Sequence, residues 1–290
     1  MITVYTALYP EAQELIRIWS LKKDRTWQQF QVFCDADNQI QLVITGTAAI
    51  AAAVAVAACA TRQMPKEGDL LINYGSCAGG EKIPVGTVFL CNKLVETAGG
   101  RTFYPDVLYR HPFAEQTVYS VPDVQDAAGV ERILKEQGQG VIDLEAAAIY
   151  QAGNYFYAPH QMLFVKVVTD HGNVMQMQTF SETMQGAAGA FAAFVRTLLQ
   201  MQEQSRQEQQ KREALRRKAK QNTAQWAEAL HASETMKAQI GQLLWYLALD
   251  DGKCRQAEEL YAGYVRAQRL PAKDRREGKK ILEELRARFL

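Results

Sequence analysis

The chain has 290 residues, of which 33 are Lys or Arg and 32 Asp or Glu, giving a formal charge of +1, and 48% of it is hydrophobic. A chain this apolar can bury a sizeable core, which excludes a disordered protein, and its length suits one large domain or two smaller ones. Its longest apolar stretch, Ala48 to Cys59, is alanine-rich and well short of the roughly 18 residues of a membrane span, so no membrane association is expected.

In chain order, Ile2–Ala7 predicts a strand and the acidic segment Pro10–Trp19 a helix. Gln31–Cys34 and Gln41–Thr45 predict two strands joined by the turn Asp35-Ala36-Asp37-Asn38. Ala48–Arg62 is a helix of small residues able to pack closely on a sheet. Asp69–Tyr74 is a buried strand, followed by a Gly-rich turn and a strand at Gly86–Leu90. Thr97–Phe113 reads as a loop, Thr117–Val121 as a strand, Ala127–Gln137 and Leu144–Phe156 as helices, and Met162–Val168 as a strand. A long helix begins near Phe180. Strands alternating with helices predict an α/β fold with a mixed, largely parallel sheet flanked by helices.

From about Gln200 the composition changes. Residues 1–200 carry 14 basic and 19 acidic side chains, a net of −5, and residues 201–290 carry 19 and 13, a net of +6. Gln202–Lys220 reads as a solvated helix. The amphipathic segments Ala224–Leu249, Lys253–Gln268 and Lys273–Leu290 follow, separated by Asp250-Asp251-Gly252 and Leu270-Pro271. We therefore expect two domains: 1–200, α/β, and 201–290, a C-terminal all-helical module.

Four short segments carry the chemistry. Glu11, in Thr6-Ala7-Leu8-Tyr9-Pro10-Glu11, follows the first strand. Asn73-Tyr74-Gly75-Ser76-Cys77-Ala78-Gly79-Gly80 leads from a buried strand into small residues. Asp143-Leu144-Glu145-Ala146-Ala147-Ala148 opens an apolar helix with two carboxylates, and Lys166-Val167-Val168-Thr169-Asp170-His171-Gly172 ends a strand in a third. Singly, each fits an ordinary role: Glu11 as a first-turn acid, Gly75 to Gly80 as a turn, Asp143 as a helix N-cap, Asp170 as a cap of the next element. Together they differ. Three of the four lie at C-terminal ends of presumptive parallel strands, where open α/β sheets bind ligands, and Glu145 sits in an apolar helix face that is costly for an unpartnered charge.

In this order and spacing the segments resemble the nucleoside phosphorylase/nucleosidase superfamily, and most closely the 5'-methylthioadenosine/S-adenosylhomocysteine nucleosidases. The resemblance covers residues 1–200; Leu144 replaces the methionine of the family's helix signature. It implies a nucleoside phosphorylase-like fold, a small-molecule nucleoside substrate, no metal or organic cofactor, and a homo-oligomer. It also implies roles for single residues. Asp170 protonates or hydrogen-bonds N7 of a purine, and Glu11 orients or deprotonates the attacking water. Glu145 holds the ribose hydroxyls with Leu144 against the sugar, Ser76 approaches the sugar and nucleophile, and Thr169 lies beside the base. Asp143 and Lys166 complete the implied substrate-binding set, Lys166 standing where these nucleosidases carry Arg.

The residue types suit the reaction. Cleavage of an N-glycosidic bond passes through an oxocarbenium-like state, which asks for an acid at the leaving group and a base on the opposite side. The phosphorylases of the superfamily place an Arg near Asn73 and the hydrolytic members an Asn, so water is the expected nucleophile, with Arg17 and Arg101 as unassigned cations. The expected substrate is a 5'-modified adenosine. A phosphorylase and a nucleoside-binding or scaffold protein are the competing readings. The segment between Leu90 and Val141 is short for a nucleosidase and lacks the purine-stacking aromatic; Phe103, Tyr104 and Tyr109 are the candidate substitutes.

Other signals are weak. His111, His160, His171 and His231 show no metal spacing among themselves or with the five widely spaced cysteines, which read as reduced thiols. With no basic stretch at the N-terminus to mark a secretory signal, a cytoplasmic location is expected. The run Lys211-Arg212-Glu213-Ala214-Leu215-Arg216-Arg217-Lys218 is interrupted by Glu and Ala and reads as a solvated helix face rather than a nucleic-acid patch. The basic helices at the C-terminus are instead a candidate docking module for a protein partner.

Overall fold

The structure is a computed structural model describing residues 1–173 and 175–289, and the chain divides into two compact units, Met1–Gln202 and Glu203–Leu290. The first unit holds strands β1 (Ile2–Thr6), β2 (Lys22–Lys23), β3 (Gln31–Cys34), β4 (Ile40–Ile44), β5 (Leu70–Gly79), β6 (Val88–Glu96), β7 (Arg101–Phe103), β8 (Ala114–Ser120), β9 (Val141–Asp143) and β10 (Met162–Asp170). Its helices are α1 (Tyr9–Ile18), α2 (Ala49–Arg62), α3 (Ala127–Gln137), α4 (Ala146–Gly153) and the beginning of α5 (Met177–Ala229). This is the mixed α/β architecture that the alternation of elements predicts.

All ten strands join one sheet. β1 lies parallel between β4 and β5, and β10 runs parallel to β5 on its other side. From β10 the sheet turns through β6, β8 and β9, and β9 returns antiparallel onto β5 at Ala78 and Gly79, closing a ring. Helices cover both faces, so the central strands read as continuous apolar runs. Ile2, Val4, Ile72 and Val165 pack with Leu15 of α1 and with Phe191 and Val195 of α5. Tyr5, Val43, Leu71 and Phe164 pack with Ala52 and Val56 of α2 and Ile149 of α4.

Two differences from the sequence reading bear on the site. The glycine-rich stretch is no turn: β5 stays extended through Gly79, pairing with β10 from Leu71 to Ala78. Its small residues serve strand packing, since a Cβ at Gly79 would come within 2.9 Å of Val168 Cγ1. The helix expected from Leu144 starts at Ala146, preceded by the short strand β9, which places Glu145 at its N-cap rather than inside its apolar face.

The second unit comprises the rest of α5 with α6 (Glu234–Leu247), α7 (Asp251–Arg266) and α8 (Arg275–Phe289). The single helix expected over Ala224–Leu249 is broken, because α5 stops at Ala229 and Ser233 caps α6 by accepting from the Met236 amide at 3.3 Å. Trp226, Leu230, Ile240, Leu244, Ile281 and Leu285 form the core of this unit. Gly278 lies so close to the Leu230 carbonyl that a Cβ there would overlap it. Among the described residues no helix is long and apolar enough to cross a membrane.

Tyr74 and Phe191 stack with centroids 4.2 Å apart, tying β5 to α5, and both are fully buried. Phe191→Ala is expected to lower the stability of the first unit by about 3–5 kcal/mol, read as a shift in its urea midpoint.

Candidate active site

The C-terminal ends of β1, β5 and β10 meet at one edge of the sheet, where a cavity of about 240 Å³ is lined by Ala7, Leu8, Glu11, Thr47, Ser76, Cys77, Ala78, Val121, Val124, Gln125, Ile142, Asp143, Leu144, Glu145 and Asp170. Six of the eight residues singled out in the sequence (Glu11, Ser76, Asp143, Leu144, Glu145 and Asp170) line this one space. Lys166 and Thr169 are buried beside it without lining it.

Glu11 is in the first turn of α1, where Pro10 favours the helix start. Its Oε2 accepts from the amides of Ala7 at 2.8 Å and Leu8 at 2.9 Å. Its Oε1 accepts from the Ser76 amide at 2.8 Å and the Ser76 hydroxyl at 2.7 Å. The carboxylate thus closes its own helix start and also reaches across to β5. Both charged groups come close to the backbone at Gly75, where a Cβ would stand 3.4 Å from Glu11 Oε1 and 3.6 Å from Lys166 Nζ, ordinary contact distances.

Lys166 is fully buried at the middle of β10 and pairs with Asp143 Oδ2 at 2.6 Å. Burial works against its charge, but Asp143 and Glu145 outweigh that and hold the ammonium above the ordinary lysine range. Asp143 also accepts from the Ser120 hydroxyl at 2.6 Å and from the Ala146 amide at 2.8 Å. Asp143 is thus not the N-cap of α4, which is Glu145, but it accepts from the first amide of that helix while also carrying the buried cation.

Glu145 Oε1 accepts from the Ala48 amide at 2.9 Å, and among the described residues Oε2 has no hydrogen-bond partner. Burial pushes the Glu145 carboxyl up to about 7; Asp143 adds to the rise, while Lys166 and the Ala48 amide oppose it. Ala48 holds that amide in place at φ 73°, ψ 165°, a region costing a non-glycine residue about 1–3 kcal/mol.

Asp170 ends β10. Its Oδ2 accepts from the Thr169 hydroxyl at 2.9 Å and its Oδ1 from the Gly172 amide at 2.7 Å, so both oxygens are oriented locally. Gly172 is required here: its φ is +82°, and a Cβ would lie 2.5 Å from the Asp126 carbonyl carbon. His171 Nδ1 lies 3.1 Å from the Gly79 carbonyl oxygen, an anchor for the turn beside the site.

Several candidates lie elsewhere. No aromatic lines the cavity: Phe103 stacks on Tyr150 at 5.1 Å, Tyr109 packs in the core beside α5, and Tyr104 is exposed. Arg17 pairs with Glu14 and Arg101 with Glu96, both away from the cavity. The sequence reading missed Ser120 and the Ala48 amide, because a serine at a strand end and an alanine before a helix carry no signal of their own. Among the described residues no cluster of three or more His, Cys, Asp or Glu side chains has metal-binding geometry.

No family model matches the sequence, and no curated protein matches it. The fold does match solved structures. It resembles an apo 5'-methylthioadenosine nucleosidase from Arabidopsis thaliana (TM-score 0.58, 16% identity), covering 68% of this chain and 95% of that one. It also resembles a 5'-methylthioadenosine/S-adenosylhomocysteine nucleosidase from Neisseria meningitidis in complex with methylthio-immucillin-A (TM-score 0.55, 22% identity), covering 68% and 97%. A futalosine hydrolase mutant from Helicobacter pylori matches at TM-score 0.53 and 10% identity, covering 69% and 98%. The likeness is one of fold, and it is the fold that the motif resemblance implies.

The raised carboxyl of Glu145 makes stability depend on pH. The folded state holds this proton more tightly than the unfolded chain does. Its contribution is therefore complete below the ordinary value of 4.5 and is lost as the pH rises through about 7. The thermal midpoint of the first unit is expected to fall across that window, and to fall less in Glu145→Gln, measured by calorimetry from pH 4.5 to 8.

Proposed function

We propose that this chain is a nucleosidase that hydrolyses the N-glycosidic bond of a purine nucleoside, a 5'-modified adenosine, with catalysis in residues 1–200 and an accessory role for 201–290. The observation that carries this reading is the gathering of Glu11, Asp143, Glu145 and Asp170 around one small cavity whose nearest cation, Lys166, is already paired. With Asp170 holding the proton it will give to the base, the other three carboxylates against one ammonium leave a formal charge of −2. Such a site favours a developing oxocarbenium cation and disfavours a phosphate dianion, which asks for a guanidinium fork. No Arg lines the cavity. Water is therefore the nucleophile.

In this reading the purine lies at Asp170 and the sugar between Glu145 and Leu144, with the Glu145 carboxylate accepting from the ribose hydroxyls. Water attacks the anomeric carbon and gives its proton to Glu11. The C–N bond breaks with its electron pair going to the base, and Asp170 supplies the proton taken up at N7. The products are free base and a sugar with an anomeric hydroxyl. Glu11 already receives four donors, which fill a carboxylate's lone-pair sites. The Ser76 hydroxyl is the one donor that can rotate away, so it has to yield its place for Glu11 to bind the water.

A second copy of the chain completes the assembly. A larger cavity of about 750 Å³ shares Val121 and Leu144 with the site, and Ile50 and Tyr155 on its rim are exposed. A partner covering this face buries those side chains and supplies an apolar wall beside the nucleoside. The thiols Cys34, Cys59, Cys77 and Cys91 suit a cytoplasmic location.

The test is a panel of nucleosides assayed for free base with and without phosphate. Release of base and free sugar from a 5'-modified adenosine, independent of phosphate, is expected. Phosphate-dependent formation of sugar 1-phosphate would make it a phosphorylase, and tight binding without turnover a binding protein. Asp170→Asn and Glu11→Gln are each expected to slow base release by about 10²–10⁴-fold while the circular dichroism spectrum is unchanged. Full activity in both variants would overturn the assignment. Sedimentation should show an oligomer that Ile50→Glu dissociates.

A further inference from the structure

Among the described residues the side chain of Glu145 has one hydrogen-bond partner, yet the two amides that follow it are held by a network of buried polar groups that the catalytic scheme leaves unused. Ser120 ends β8 and Asp143 ends β9, and the two strands pair in parallel with Ser120 and Asp143 in direct register. The Ser120 hydroxyl donates to Asp143 Oδ1 at 2.6 Å and accepts from the Ala147 amide at 2.9 Å. Asp143 Oδ2 accepts from the Ala146 amide at 2.8 Å and carries Lys166 Nζ at 2.6 Å. The two amides that follow Glu145 therefore terminate on Ser120 and Asp143. The cation of β10 compensates the charge, and all three side chains are buried.

Resting on the reading of Glu145 as the sugar-binding carboxylate, we propose that Ser120 is a positioning residue for it, acting through Asp143 and the first amides of α4. Ser120 does not line the site cavity, although it borders the larger cavity that shares Val121 and Leu144 with it. Its place demands a group that donates on one side and accepts on the other. A hydroxyl does both, and removing it leaves a buried carboxylate oxygen and a buried amide each short of a partner. The brace then slackens at the residue that aims at the ribose diol, while the base end of the site, built on Asp170, Thr169 and Gly172, keeps its own hydrogen bonds.

The experiment compares the full-length wild type with Ser120→Ala and Ser120→Thr, using 5'-methylthioadenosine, its 2',3'-dideoxy counterpart and adenine as ligands. Ser120→Ala is expected to raise KM and weaken binding of the ribose nucleoside about tenfold, the effect of one lost hydrogen bond to a charged group. Adenine and the dideoxy compound should bind as they do to wild type, kcat should change less than KM, and Ser120→Thr should restore the wild-type values. On a Glu145→Gln background, Ser120→Ala should add little. If Ser120→Ala does not fold, Ser120→Cys, which keeps the shape with a weaker donor, is measured in the same way. Equal weakening of all three ligands would show a merely structural role and overturn the proposal. So would unchanged binding of the ribose nucleoside in a wild type that binds it well. A wild type that binds no nucleoside overturns the reading of the site itself, and this proposal with it.

Discussion

An ammonium group in the middle of a central strand is the constraint around which the first unit is arranged. Lys166 is fully buried, and an unpaired charge there would carry a desolvation penalty of several kcal/mol. Asp143 answers it at 2.6 Å, and that contact fixes much else. It sets where β9 ends, where α4 begins, and thus where Glu145 stands. Gly75 stands beside Lys166 in register, where the ammonium and the Glu11 carboxylate both approach the backbone.

A single cation among several carboxylates leaves the site with an excess of negative charge, which links the fold to the proposed chemistry. Each carboxylate is managed differently. Glu11 is surrounded by donors, Asp143 is paired and capped, and Asp170 is oriented by its own strand end. Glu145 has a carboxyl raised by burial and, among the described residues, one oxygen without a hydrogen-bond partner. Groups of one type in different environments are how a site divides the tasks of acid, base and binding.

Backbone economy is visible in the same place. β5 keeps its extended path through Gly79 because β10 and β9 both pair along it, so small residues that by local chemistry suggest a turn serve strand contact. Ala48 holds a backbone conformation that ordinarily belongs to glycine, and its amide meets Glu145. Strain of this kind persists where surrounding contacts over-determine it.

The amino-acid sequence by itself determined the alternation of strands and helices, the change of composition near residue 200, and the set of carboxylates. These follow from periodicity, charge and residue type, which are local properties. Glu11, Ser76, Asp143, Glu145 and Asp170 were legible as a group because each follows the end of an apolar run. Only the tertiary structure decided that the glycine-rich stretch is strand, that Lys166 is a buried counterion rather than a cavity wall, and that no aromatic lines the cavity of Glu11, Glu145 and Asp170. It alone brought Ser120 to Asp143 and the Ala48 amide to Glu145. Those facts depend on which strands lie side by side and which groups are excluded from water, and pairing across 23 or 97 positions of chain leaves no mark on the local pattern.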